Sequence, residues 1–296
     1  MTTQIHGVFE GGGIRGLALA GAASAVMDSG YSFDKVAGTS AGSLVASLIA
    51  AGYTGEEFRN VVAETIWPRL LDPTPGAGIP GVGRHIAFLR FLGIYRGSEL
   101  ERVWRDLLGR KGVKYFGDLP DGKLKMIAVD LTHETGVVIP DGLTDYGVDP
   151  KAFSIAHAVR MSSAVPFIFQ PVKLRHRRTG HISMMADGAL GSKFPVELVS
   201  QLGDRPVFGF RPVDVSPDHA HNEIRGPASL AAAVMKTGMS ARETLPRGRF
   251  TQVTQIVVPT ERESMDFDLT ESQALGMFDR GYEAGVTALS ELNRTT

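Results

Sequence analysis

Ser40 stands in Gly38-Thr39-Ser40-Ala41-Gly42, the G-x-S-x-G spacing that puts a serine hydroxyl on a sharp turn between a strand and a helix. Phe33 to Ala37 is short and apolar-ended, like a buried strand, and Ser43 to Ala51 puts Leu44, Val45, Leu48 and Ile49 on one helical face. Gly38 and Gly42 let the backbone turn with no Cβ in the way. The serine oxygen would then lie over a helix N-terminus, whose unpaired N–H groups and partial positive charge favour a developing oxyanion. The chemistry implied is attack by Ser40 on a carbonyl carbon. A Gly-rich turn with a capping serine has the same residues, so the rest of the chain must supply a base and an anion site.

Gly11-Gly12-Gly13-Ile14-Arg15-Gly16 follows a first strand, His6 to Phe9. G-x-G-x-x-G (Gly11, Gly13, Gly16) fits a dinucleotide fingerprint, which wants an acidic residue about 20 positions on, closing the second strand. Asp34 has that distance but opens its strand. The same glycines fit an anion cradle of backbone N–H groups, and that is preferred because one mechanism then uses both motifs.

The base would come from Asp187-Gly188-Ala189, at the end of the second strand of a hairpin. An ordinary Asp-Gly turn has the same residues. Of eight histidines, His181 is the best alternative, six residues before Asp187 and on the same side of one strand. It would be roughly 20 Å away, so Asp187 acting alone is preferred. No metal or organic cofactor is needed.

The elements that must position these residues read as alternating strands and helices. Helices are expected at 17–27, 55–67, 98–109, 196–202 and 230–243. Strands are expected at 124–130, 206–213 and 253–258, with a hairpin of 167–174 and 181–186. Ser154 caps a helix to Ser162, ended by Pro166. Thr270-Glu271-Ser272-Gln273 is a capping box for a closing helix with a core stripe of Leu275, Phe278, Tyr282, Val286 and Leu289. A Pro- and Gly-rich insertion of about 68–97 interrupts the pattern. Its Ile86, Phe88, Leu89, Phe91, Leu92 and Ile94, interleaved with arginines, suit either an interfacial lid or packing on the core. Lys173 to Arg178 is read as a solvated hairpin tip, and His219-x-His221 as a loop feature with no third ligand.

The 296 residues suit one α/β domain, 1–296, carrying that insertion. Hydrophobic content of 43% and charged content of 21% are those of a water-soluble globular protein. A net charge of −1 argues against a nucleic-acid partner. With no cysteine, disulfides, thiolate catalysis and Cys-ligated zinc are excluded. No signal segment is visible, and no apolar run reaches the ~20 residues that span a bilayer. A cytoplasmic protein is expected, with any membrane contact peripheral. Composition leaves oligomeric state open.

Gly11-Gly12-Gly13-Ile14-Arg15-Gly16, Gly38-Thr39-Ser40-Ala41-Gly42 and Asp187-Gly188-Ala189, in this order, resemble the motifs of the patatin-like phospholipases. Ala158 to Pro166 and Phe169-Gln170-Pro171-Val172 resemble the family's approach to its aspartate. The resemblance covers roughly residues 5–210. It implies a three-layer α/β/α sandwich with a mostly parallel central sheet, and a Ser–Asp dyad without histidine. Ser40 corresponds to the nucleophile and Asp187 to the base, and Gly12, Gly13 and Arg15 fall in the oxyanion-hole motif. Where many members have Asn-x-Pro, this chain has Lys193-Phe194-Pro195. The implied activity is hydrolysis of lipid esters, of phospholipase A or lysophospholipase type, on a lipid or phospholipid substrate. A non-lipid carboxylesterase and a regulatory module that has lost its chemistry are the alternatives.

Overall fold

In the computed structural model residues 2–79, 83, 89–200, 205–215, 223–240, 253–260 and 267–295 are described. The strands are β1 (Thr3–Phe9), β2 (Tyr31–Thr39), β3 (Gly93–Tyr95), β4 (Leu124–Asp130), β5 (Thr135–Ile139), β6 (Phe167–Phe169), β7 (Val172–Arg175), β8 (Ile182–Asp187), β9 (Val207–Asp214) and β10 (Val253–Thr260). The α-helices are α1 (Gly16–Asp28), α2 (Ala41–Ala50), α3 (Gly55–Glu64), α4 (Ser98–Arg110), α5 (Ile155–Ser162), α6 (Glu197–Ser200), α7 (Pro227–Ser240) and α8 (Glu271–Thr295).

The main sheet runs β10-β9-β1-β2-β4-β8-β7, with β5 also on β4. The pairings from β10 through β4 are parallel, and those of β5, β8 and β7 are antiparallel. Alternation along β1 sends Ile5 and Phe9 to one face and Val8 to the other. On the first face Phe9, Phe33 and Phe210 form an aromatic cluster, Phe9 stacked on Phe210 at 4.6 Å, under α1, α2, α3 and α8. On the second, Val8, Ala37 and Val207 meet Phe194, Val196 and Val199. This is the three-layer α/β/α sandwich with a mostly parallel centre.

The α1–α8 contact shows why bulk alone misplaces a core stripe. A Cβ at Gly21 would lie 1.9 Å from the Phe278 carbonyl oxygen, and one at Gly281 1.9 Å from that of Ala18. The two backbones touch, so the buried face of α8 runs through Ala274, Met277, Phe278, Gly281, Gly285 and Leu289. Val286, expected in the stripe, is exposed.

Other boundaries differ for local reasons. The helix expected to reach Trp67 stops at Glu64, where Thr65 turns extended and bonds its hydroxyl back to the Val61 carbonyl. The expected 167–174 strand is two strands. Pro171 interrupts it, β6 pairs with β3, and β7 pairs with β8. The expected insertion contributes β3, and its two ends are joined. Asp72 accepts from the N–H groups of Gly97 at 2.6 Å and Ser98 at 3.0 Å, and its carbonyl from Arg96. Ile86 and Phe88 lie outside the described residues, as do His219, His221 and the 241–243 end of the expected 230–243 helix. Among the described residues no helix is long and apolar enough to cross a membrane.

Candidate functional site

β4 organises the site. β2 runs parallel to it, with Thr39 opposite Ile127, and β8 runs antiparallel to it, with Asp187 opposite Ala128. The C-terminal ends of β2 and β8 therefore meet head to head along one edge of β4. Ser40 follows β2, Asp187 ends β8, and Ser40 Oγ donates to Asp187 Oδ2 at 2.6 Å. A Cβ at Gly188 would lie 2.1 Å from the Ile127 carbonyl oxygen, so only glycine lets the chain leave β8 there.

Ser40 has φ 52° and ψ −122°, a strained backbone for a residue with a side chain. The turn is held from all sides. The Ser40 carbonyl accepts from Ser43 N and Ser43 Oγ, and the Ser40 N–H donates to Ser162 Oγ at 3.0 Å. A Cβ at Gly42 would lie 2.0 Å from the Phe9 carbonyl oxygen, so α2 starts directly against the end of β1. The N-termini of α1 and α2 converge as well, for a Cβ at Gly16 would touch that of Ala41 at 3.0 Å. Two helix dipoles thus present their positive ends at Ser40.

Asp187 is completely buried. Burial pushes its carboxyl up to about 7, against the lowering influence of its bonds from Ser40 and from the Ala189 N–H at 2.8 Å. This buried carboxyl is available as a proton acceptor near neutrality.

The glycine loop lies beside this pair. A Cβ at Gly11 would sit 3.4 Å from that of Ser40. The Gly11 N–H is occupied by the Lys193 carbonyl at 3.0 Å, while Gly13, at φ 57°, begins a short 3-10 turn in which Arg15 N bonds the Gly12 carbonyl. The Arg15 guanidinium pairs with Asp214 Oδ2 at 2.6 Å, tying the loop to β9. Where the family pattern has asparagine, Lys193 reaches Glu10 Oε1 at 2.9 Å, and Arg211 takes Glu10 Oε2 at 2.6 Å. Glu10 is buried, and it locks the glycine loop to the segment that follows Asp187.

An apolar cleft starts at Ser40 and Gly13 and runs between α1, α2, α3 and α4. Leu17, Leu48, Val62, Trp67, Leu100 and Trp104 are among its walls. The Trp104 indole N–H is occupied by Ser47 Oγ and the Leu44 carbonyl, and that of Trp67 by the Val62 carbonyl, which leaves the walls apolar.

Among the described residues no histidine lines this cleft. His181 precedes β8 at the exposed hairpin tip, with Arg175, Arg177 and Arg178. His133, Ser183 and Asp130 do meet, at the far end of β4, but His133 offers the same Nδ1 to Asp130 Oδ2 at 2.8 Å and to Ser183 Oγ at 3.3 Å. A relay through the ring would use both nitrogens. Burial would raise Asp130, but bonds from His133, Ser183, Tyr146 and Thr132 outweigh it and hold the carboxyl down at about 2.

Three residues near the site escaped the sequence reading, each with a faint signal. Glu10 is a carboxylate ending an apolar strand. Ser162 is a serine on the buried stripe of α5. Arg160 shares that stripe and bonds the Arg96 carbonyl through Nε at 3.1 Å and the Gln170 carbonyl through Nη2 at 2.6 Å. Burial lowers its guanidinium to about 10, and it pins the stem of the insertion beside β6.

The patatin-like phospholipase family model matches residues 7–200. The uncharacterized protein YqhO of Bacillus subtilis is 36% identical over 278 residues, covering 94% of this chain and 95% of its own. VipD of Legionella pneumophila shares the fold at a TM-score of 0.51 and 17% identity, over 97% of this chain and 67% of VipD. The type III effector protein ExoU, of Pseudomonas aeruginosa, does so at 0.51 and 16%, over 97% of this chain. This chain spans about half, 53%, of ExoU. The chain belongs to the patatin-like phospholipase family.

Proposed function

We propose that the protein is a serine acyl hydrolase that cleaves lipid ester bonds, of phospholipase A or lysophospholipase type, with Ser40 as nucleophile and Asp187 as base. The observation that carries this reading is the 2.6 Å bond from Ser40 Oγ to a fully buried Asp187 beside an apolar cleft. Family membership supports lipid acyl hydrolysis in general. The cleft suits an acyl chain, because its walls offer dispersion contacts and few polar groups.

In the first step Ser40 Oγ attacks the ester carbon and its proton moves to Asp187 Oδ2. The N–H groups of Gly12 and Gly13 receive the oxyanion, with the positive ends of α1 and α2 behind them, and Arg15 keeps the turn in place through Asp214. Collapse expels the alcohol, which takes the proton from Asp187. Water then attacks the acyl carbon, Asp187 accepts its proton and returns it to Ser40, and the fatty acid leaves. The protein would act as one unit from the cytoplasm, touching membranes peripherally, with the insertion near its mouth.

Lipid mass spectrometry after incubation with mixed phospholipid vesicles tests this. Wild type is expected to release fatty acid and Ser40→Ala none. Equal release by both would overturn the reading, and turnover of short soluble esters alone would replace it by a non-lipid carboxylesterase.

A further inference from the structure

We infer that Ser162 is a positioning residue that holds the strained Ser40 peptide in its reactive orientation; this rests on the role proposed for Ser40. Ser162 is the last residue of α5 and is completely buried. Its hydroxyl has one proton, and that proton goes to the Ile127 carbonyl at 2.6 Å. A remaining lone pair accepts the Ser40 N–H at 3.0 Å. The chain of bonds therefore has one direction, from Ser40 N–H to Ser162 Oγ–H to the Ile127 carbonyl.

Ile127 is where β4 passes from one partner to the other. β2 pairs with it up to Thr39–Ile127, and β8 takes over at Asp187–Ala128. At this junction β2 turns away into α2, and a side chain from α5 bridges the gap. The same helix end holds the other half of the pair, since Asp187 N donates to the Ala164 carbonyl at 2.9 Å. Without the Ser162 oxygen, the Ser40 N–H would be buried with no acceptor, and the peptide would gain by rotating out of φ 52°, ψ −122°.

The test follows phosphonylation of Ser40 by a fluorophosphonate in Ser162→Ala, Ser162→Thr and wild type, with the Ser40 backbone amide observed by NMR. In Ser162→Ala the rate constant should fall by about 5- to 150-fold, the equivalent of leaving one buried donor unpaired. The KM for a soluble ester should stay within about twofold, and the Ser40 amide proton should move upfield. Ser162→Thr, which keeps the oxygen, should restore both rate and shift. If Ser162→Ala does not fold, Ser162→Cys, with sulfur as a poor acceptor, should show the same split. An unchanged rate, or a loss that Ser162→Thr does not restore, overturns the inference. Its failure is distinct from that of the proposed function, which is read from the lipid products of wild type and Ser40→Ala and not from any Ser162 variant.

Discussion

β4 carries two buried aspartate sites, one at Asp187 beside it and one at its own end, Asp130. Both carboxylates are fully buried, and both have a serine within reach. They end up far apart in acidity, about 7 for Asp187 and about 2 for Asp130. Burial pushes both up. Asp187 has two donors, Ser40 and the Ala189 N–H, which only soften that push. Asp130 has His133, Ser183, Tyr146 and Thr132, and these reverse it. A buried carboxyl becomes a base by being under-solvated, and a structural anchor by being fully solvated by the protein.

The largest effects should separate the two sites outright. Ser40→Ala and Asp187→Asn should each cost about 10⁴-fold or more in turnover, and the double mutant should be little worse. Asp130→Asn should change turnover by less than about threefold and lower stability by about 2 kcal/mol, measured by urea unfolding. Loss of turnover in Asp130→Asn with retention in Asp187→Asn would invert the comparison. Next in size, Gly12→Val or Gly13→Val should cut turnover about 10²–10³-fold with the fold intact by circular dichroism.

The pH dependence of stability sharpens the contrast, because the signs are opposite. Folding raises the Asp187 carboxyl from 3.8, so its contribution is full below that value and is lost as pH rises through about 7. Folding lowers the Asp130 carboxyl, so its contribution is present above 3.8 and is lost as pH falls through about 2. Relative to wild type, Asp187→Asn should melt higher above pH 7, with the gain fading in acid. Asp130→Asn should melt lower at neutral pH, the deficit closing toward pH 2. Differential scanning calorimetry across this range reads both.

The smallest effect lies outside either site. Leu89 and Leu92, 77% and 52% exposed, lie in the insertion just before β3. Serine at both positions should lower activity on anionic vesicles about tenfold and leave a soluble ester unaffected. Equal losses on both substrates would mean that this stretch acts through packing.

Many of the strands and helices, and the candidate residues Ser40 and Asp187, were legible because they depend on local pattern, whereas the sandwich followed from the resemblance of three motifs. Gly38 to Gly42 encodes a strand-to-helix turn within five residues, and the apolar-ended run before it and the one-faced apolar helix after it mark the two elements it joins. What stayed illegible depends on contacts between distant segments. The closing helix was misread at Val286 because its real contact is made by Gly281 and Gly285, where the signal is the absence of a side chain. Pro171 was passed over as one residue in an apolar run, yet it divides β6 from β7 and sends them to different partners. The cluster of Asp130, His133 and Ser183 has no sequence signature, since Ser183 arrives from another strand. Ser162 and Glu10 were passed over because each completes its role only when β4, β9 or the 187–195 segment folds against it.

The measurement that bears most directly on the dyad is the rate of fluorophosphonate attachment to Ser40, followed by intact-protein mass spectrometry across pH. The wild-type rate should rise with a single midpoint near 7, set by Asp187. That rise should vanish in Asp187→Asn and persist in His133→Ala. A rise that survives Asp187→Asn, or disappears in His133→Ala, would contradict a dyad in which Asp187 alone takes the proton of Ser40.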